Sequence, residues 1–362
     1  MTNTYLIVLL VSRMVLQERV LGKTGLNVKF IGFGGIPIQR ISEEEAVLVV
    51  KRCYDLGINY FDTARGYTTS EERIGKALKD VRDKVYLATK SHARMRVDIE
   101  RDIATSLRNL RTDYIDVYQL HNIASMDTWN IVKAPGGALE AVLDAKKQGK
   151  IKHIGITSHN PGVLAKILEE DIFETAMIPY NYLATEPEKE VLPVCEKMGI
   201  GVIIMKPFGG GAFYNPNTAL KFVLANQLAD ITIPGMLSVA EVEENISVCQ
   251  GDLNLTSDEI KAIEDEKKRL GDQYCRFCDY CQPCPVGIPI SFVLRAEVSV
   301  LRRMGWQEGT VKQVDEAAAK VAQCLQCGVC ETRCPYELPI RALLPEKMER
   351  LRKLKETRTI PT

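Results

Sequence analysis

From about residue 28 to residue 250, short apolar runs rich in β-branched and aromatic residues alternate with longer stretches whose apolar positions recur every three or four residues. The first period is that of a buried strand, the second that of a helix with one apolar face. Eight strands are predicted, at residues 28–34, 58–62, 85–90, 114–121, 153–159, 175–181, 201–207 and 230–236. A representative helix is "SEEEAVLVVKRCYDLG", which opens at Ser42 as N-cap, places acids in its first turn and closes at Gly57. Eight strand–helix repeats over residues 20–250 predict an α/β fold, a closed (β/α)8 barrel. An open doubly wound sheet is the competing fold. It is disfavoured because no G-x-G-x-x-G opens the first helix.

Beyond the barrel the pattern turns wholly helical. Residues 251–271 hold a capped, highly charged connecting helix expected on the barrel's outer wall, and residues 272–345 hold cysteines and two further helical stretches. A basic helix or tail at 346–362 reads as a solvated face. At the other end, residues 1–19 read as a tail in which "TYLIVLLV" (4–11) is half a membrane span without a basic leader or cleavage site, and Met14 is a plausible start. The chain has 47 basic and 47 acidic residues and is 46% hydrophobic, which is ordinary for a globular protein and points neither to nucleic acid nor to a membrane. A cytoplasmic location is expected, so the 11 cysteines, eight of them between Cys275 and Cys334, suggest metal or redox chemistry before disulfides.

In such a barrel the chemistry sits at the C-terminal ends of the strands. Asp62, Lys90 and His121 end three successive strands, and Tyr67 follows Asp62 in the next loop. Singly, these read as an N-cap, a loop anchor, a solvated strand end and a core histidine. Together they make a proton-transfer set. A lysine ammonium beside a phenol favours phenolate, so Tyr67 can act as general acid towards a carbonyl oxygen. Asp62 would hold Lys90 by a charge-assisted pair, and neutral His121 would orient the carbonyl. His92 and His153 are read as structural. A hydride donor must come from a cofactor.

"FDTARGYTTSEERIGKAL", "ATK", "YIDVYQLH", "IKHIGITSHN" and "GVIIMKPFGGG", in that order, resemble the aldo-keto reductases, and "LGKTGLNVKFIGFGG" is similar to their usual beginning. The resemblance implies an eight-stranded barrel, a small-molecule carbonyl substrate, a nicotinamide cofactor and the tetrad Asp62, Tyr67, Lys90 and His121. It also implies a nucleotide site. Thr157 and Ser158, bordered by His159 and Asn160, stand where the family offers Ser and Asn to the carboxamide, and Met177 replaces a carboxamide-binding Gln. Met205 replaces an aromatic that stacks under the ring, Lys206 follows it, and Glu244 and Asn245 stand at the adenine. Where NADPH-dependent members grip the 2'-phosphate with Lys, Ser and Arg, this chain has Gly235, Met236 and Glu241. A carboxylate repels a phosphate but can accept from a ribose 2'-OH. NADH is therefore expected over NADPH.

The cysteines form two groups: Cys275, Cys278, Cys281 and Cys284 before Pro285, and Cys324, Cys327, Cys330 and Cys334 before Pro335. C-x2-C-x2-C-x3-C-P is the run in which three thiolates hold one [4Fe-4S] cube and the fourth reaches the other cluster. The second group matches it; the first is one residue short before its fourth cysteine. The expected exchange pairs Cys334 with the first three thiolates of the first group, and Cys284 with those of the second. Tetrahedral zinc is the competing reading. The chain thus resembles an aldo-keto reductase fused to a helical, ferredoxin-like iron–sulfur domain. Because nicotinamide transfers two electrons and a cubane one, a redox partner protein or a flavin as converter stays open, although no flavin motif is present. Two alternatives remain: an electron-transfer or docking subunit without efficient nicotinamide chemistry, and clusters that are purely structural.

Overall fold

A computed structural model describes residues 16–270, 273–276, 281–301, 304–334 and 336–361. The apolar run 4–11, Met14, Cys278 and Pro335 lie outside the described residues.

Among the described residues ten strands are present: β1 (Glu18–Val20), β2 (Asn27–Lys29), β3 (Phe33–Gly34), β4 (Tyr60–Asp62), β5 (Tyr86–Ser91), β6 (Ile115–Leu120), β7 (Ile151–Thr157), β8 (Thr175–Pro179), β9 (Gly201–Met205) and β10 (Ile231–Thr232). The last eight run parallel in sequence order from β3 to β10. Parallel bridges from Ile31 to Thr232 and from Gly34 to Gly235 join the two ends. The sheet therefore closes, as the alternation of strand and helix predicts. Between strands, helices such as Glu43–Asp55 lay buried Ala46, Val49, Val50 and Cys53 against the barrel wall. The Ser42 cap is reciprocal: its hydroxyl accepts from the Glu45 N–H at 3.2 Å, and the Glu45 carboxylate accepts from the Ser42 N–H at 2.9 Å.

One strand differs from expectation. Residues 28–34 do not form one barrel strand: β2 pairs antiparallel with β1, and the barrel strand proper is Phe33–Gly34. The hairpin closes the floor of the barrel, burying Leu21 and Val28 among Tyr60, Ala88, Val117, Ile203 and Ile231. Its turn is fitted closely. Gly22 has φ +45°, and a Cβ there would lie 2.1 Å from the Gly201 nitrogen. Removing the plug, as in Leu21→Ala, should cost about 2–5 kcal/mol. The apolar positions Val28, Phe30 and Ile31 hide the change of partner, because a floor plug needs the same apolar residues as a strand.

The connecting helix is Ser257–Leu270. Its Ile263 packs with Tyr182, Leu183, Phe213 and Tyr274, beside the loops that follow β8 and β9. Its Glu266 is 4% exposed and accepts from the Tyr182 hydroxyl, from the Tyr214 N–H at 2.8 Å and from Arg269 at 2.6 Å. The cysteine region is helical, with helices at Ile290–Arg295, Glu308–Val321 and Ile340–Thr357. The last runs without a break through residues 345 and 346, and its Met348 and Leu351 are buried in a core with Cys275, Cys281, Ile288 and Leu338. Its apolar face therefore belongs to the core of the cysteine region, while its basic residues face out. Among the described residues no helix is long and apolar enough to cross a membrane.

Candidate functional site

Side chains alternate across a strand, so every second residue of these strands points into the barrel. Tyr60, Ala88, Val117, Met177, Ile203 and Ile231 fill that interior. One step further towards the C-terminal mouth, the same faces carry Asp62, Lys90, Gln119 and Met205. Lys90 and Asp62 are each 2% exposed and form an ion pair. Lys90 also donates to the Thr63 carbonyl at 2.8 Å, and Gln119 donates to the other Asp62 oxygen at 2.9 Å. Burial raises the Asp62 pKa against the opposing pull of Lys90 and Gln119.

Lys90 Nζ lies 5.2 Å from the centre of the Tyr67 ring, and Tyr67 meets His121 edge-on with centroids 6.1 Å apart. His121 is 8% exposed, and its pKa is held well below the ordinary histidine value, first by burial and then by Lys90 and His92. The four tetrad residues thus converge on one rim. His92, expected to be merely structural, stacks on His121 with centroids 3.8 Å apart. Arg94 donates to the carbonyls of His121 and Asn122 at 2.8 and 2.9 Å and holds that strand end. His153, by contrast, pairs with Glu174 at 2.7 Å on the barrel's far side.

A cleft of about 700 Å³ opens over this rim. Asp62, Tyr67, Lys90, Met177, Met205, Lys206, Glu241, Glu244 and Asn245 line it, with Pro361 near the chain's end. Two glycines of its wall are packed against neighbouring chain: a Cβ on Gly34 would lie 2.7 Å from the Ile233 carbonyl and one on Gly235 2.6 Å from Pro37, so neither position has room for a side chain. Arg40 also lines the cleft, and Glu241 is its nearest compensating charge. Sequence patterning missed Arg40, which ends the short 3-10 helix Pro37–Arg40, too brief to show a period. Gln119 was legible as a polar residue at an inward strand position.

Thr157 and Ser158 are buried just below the rim, and neither lines the cleft. Thr157 Oγ1 accepts from the Asn122 N–H at 2.7 Å, and Ser158 donates to the Ile123 carbonyl at 2.8 Å. Asn160 caps the next helix, accepting from the Val163 N–H at 3.1 Å.

The two cysteine groups meet. Cys281 and Cys284 line one cavity with Cys324, Cys327 and Cys330, and Arg341 closes its edge. Cys275 and Cys281 are buried, whereas Cys284, Cys324 and Cys330 are half-buried and Cys327 is exposed. Among the described residues no three His, Cys, Asp or Glu side chains stand close enough to hold a single ion. A single zinc requires four ligands at about 2.0–2.3 Å. Five thiols border one cavity, a donor set that suits zinc and iron–sulfur clusters alike.

Barrel, rim and cleft together define an oxidoreductase built on a parallel barrel. Residues 30–218, just over half of the chain, match the Aldo/keto reductase family, and the chain belongs to that family. Residues 274–339 match the 4Fe-4S dicluster domain. Among similar proteins is L-galactose dehydrogenase of Arabidopsis thaliana, 28% identical over 314 residues that cover 70% of this chain and 96% of that protein. An uncharacterized oxidoreductase, YqkF of Bacillus subtilis, is 25% identical over 307 residues, covering 70% and 97%. Among solved structures, the aldo-keto reductase AKR11C1 from Bacillus halodurans in its holo form has a TM-score of 0.60 at 27% identity. That match covers 69% of this chain and 96% of the other.

Proposed function

We propose that the barrel interconverts a carbonyl and an alcohol with a nicotinamide nucleotide, NADH before NADPH, and that the appended domain holds two [4Fe-4S] clusters. The observation that carries the first part is the buried Lys90, paired to Asp62 and placed under the Tyr67 ring at the cleft's inner end. When bound, the nucleotide supplies the hydride. The protein supplies the rest. Tyr67 donates its proton to the carbonyl oxygen as negative charge develops there, and the Lys90 ammonium stabilises the phenolate left behind. Asp62, held by Gln119, fixes Lys90 in place. His121, kept neutral, offers a ring N–H to the same oxygen without competing for the proton.

The cleft fits a nucleotide in size, and Lys206 and Arg40 offer cations along its wall. Met205 and Met177 give an apolar, polarisable surface for a ring. Support for carboxamide contacts from Thr157 and Ser158 is weaker, because both hydroxyls already serve backbone partners. NADH preference rests on Glu241, whose carboxylate offsets Arg40 at the adenosine end. In the second domain, by the exchange of fourth ligands that the spacing implies, Cys284 would join Cys324, Cys327 and Cys330 around one core, leaving Cys275, Cys278, Cys281 and Cys334 for the other; both Cys281 and Cys284 border the cavity of the second group.

Anaerobic titration of the purified protein with NADH and with NADPH tests the barrel reading, followed by assay against a carbonyl panel. Saturable NADH binding with carbonyl-dependent oxidation is expected; tighter NADPH binding would refute the preference. A second reading takes the barrel as a docking subunit of a redox complex. Met177, standing where a hydrogen-bonding group would hold the carboxamide, favours it, and absence of binding by either nucleotide would establish it over the first.

A further inference from the structure

The barrel and the iron–sulfur domain meet at the loop 206–214 after β9, which is also a wall of the cleft. Lys206, Phe208, Gly210, Gly211 and Phe213 face the cleft. Gly209, between them, has φ +56° and turns its carbonyl the other way, towards the iron–sulfur domain. That carbonyl accepts two hydrogen bonds, from the Tyr274 hydroxyl at 3.0 Å and from Arg295 at 2.6 Å. The Arg295 guanidinium also lies 4.4 Å from the centre of the Tyr274 ring. Both residues are buried, Tyr274 at 7% and Arg295 at 5% exposure. A Cβ on Gly209 would lie 2.6 Å from Phe213 and 2.7 Å from the Tyr274 oxygen, so the loop is fitted to its clamp. Phe213 in turn stacks on Tyr182 at 4.2 Å, with planes 21° apart.

Tyr274 is the residue before Cys275, and Arg295 ends the helix Ile290–Arg295 of the cysteine domain. One arm of the clamp thus sits next to a cysteine of the first group, and the other ends the helix that follows that group. An ordinary interface would bury apolar surface anywhere on the barrel. This one spends a charge-assisted bond on a single carbonyl of the cleft wall.

We propose that Tyr274 and Arg295 are positioning residues that hold the loop 206–214 in its cleft-forming shape, so that the iron–sulfur domain sets nucleotide affinity. The proposal rests on the reading of the cleft as a nucleotide site. By linkage the effect is reciprocal in free energy: a nucleotide held by this loop must stabilise the Tyr274–Cys275 segment, and iron that leaves through opening of that segment must then leave more slowly.

The test uses anaerobically purified protein with its iron in place. NADH affinity is measured by fluorescence titration for the wild type and for Tyr274→Phe, which keeps the ring and removes only the hydroxyl. Iron release to a chelator is timed in the wild type with and without NADH, a readout that needs no variant to fold. A Kd raised at least about fivefold in Tyr274→Phe at unchanged iron content is expected, together with iron release slowed at least about fivefold by NADH. An unchanged Kd in Tyr274→Phe, or iron release indifferent to NADH in a wild type that binds it, overturns the proposal. Failure of the wild type to bind nucleotide at all overturns the nucleotide reading instead.

Discussion

The imidazole of His92 lies flat on that of His121, with centroids 3.8 Å apart and planes 17° from parallel. Two cationic rings could not share this stack. Burial first, then Lys90, His92, His159 and Arg94, hold His121 well below its ordinary pKa, and His121 Nδ1 has no hydrogen-bond partner among the described residues. His121 should therefore stay neutral throughout the working pH range. The pH profile of kcat/KM for carbonyl reduction is expected to show no limb near the ordinary histidine value of about 6.5. A limb there that vanishes in His121→Gln would contradict this.

Replacing Tyr67 by Phe removes the proton donor and leaves the ring. It should lower kcat for carbonyl reduction about 10²–10⁴-fold while nucleotide affinity changes little. Lys90→Met should behave differently, because it also strands Asp62 as a buried carboxylate without its cation. A stability loss of about 3–5 kcal/mol is expected alongside the lost activity. Steady-state kinetics with denaturant unfolding on the same samples separates the two.

Glu174 ties the outer ends of β7 and β8, accepting from His153 at 2.7 Å, from the Ile154 N–H at 3.1 Å and from Lys146. Burial pushes its carboxyl up, but these three partners outweigh it and bring the pKa down to about 2. Such a group stabilises the fold fully above its unfolded value, about 4.3, and loses that contribution as pH falls towards the folded value. Glu174→Gln should be less stable at pH 7 by about 1 kcal/mol, since solvent screens a half-exposed pair. The gap should close on acidification. Trp129 fluorescence in a Trp306→Phe background reports the barrel alone.

Two cubes imply about eight iron and about eight labile sulfide per chain. By the exchange of fourth ligands in the ferredoxin run, and with Cys281 and Cys284 both bordering the cavity of Cys324, Cys327 and Cys330, Cys284→Ser should lose the cluster of the second group, although it belongs in sequence to the first. Iron should fall to about four per chain. Metal and sulfide analysis with low-temperature electron paramagnetic resonance checks this, and stoichiometric zinc without sulfide would refute the cluster reading.

Much of the barrel was legible because its rules are local. A period of two marks the inward faces, and a polar residue ending an inward face, as Asp62 after Tyr60 or Lys90 after Ala88, marks the mouth. The cysteine spacings are local in the same way and point to clusters before any fold is known. Illegible were features joining distant segments through residues with ordinary local roles. The β2 arm of the hairpin hid at the start of the run 28–34, Arg40 at the end of a 3-10 helix too short to show a period, and His92 two residues beyond the strand position of Lys90.

The sequence by itself determined the repeat of strand and helix, the order of Asp62, Tyr67, Lys90 and His121 along it, and the eight thiols of the two cysteine groups. Tertiary structure alone decided what many of those parts face. It stacked His92 on His121 and set Arg295 on the carbonyl of Gly209, 86 residues away in sequence. The physical reason is that a backbone carbonyl, unlike a side chain, is the same at every position. Which carbonyl a buried guanidinium finds leaves no mark on the chain and is settled only when the two domains pack.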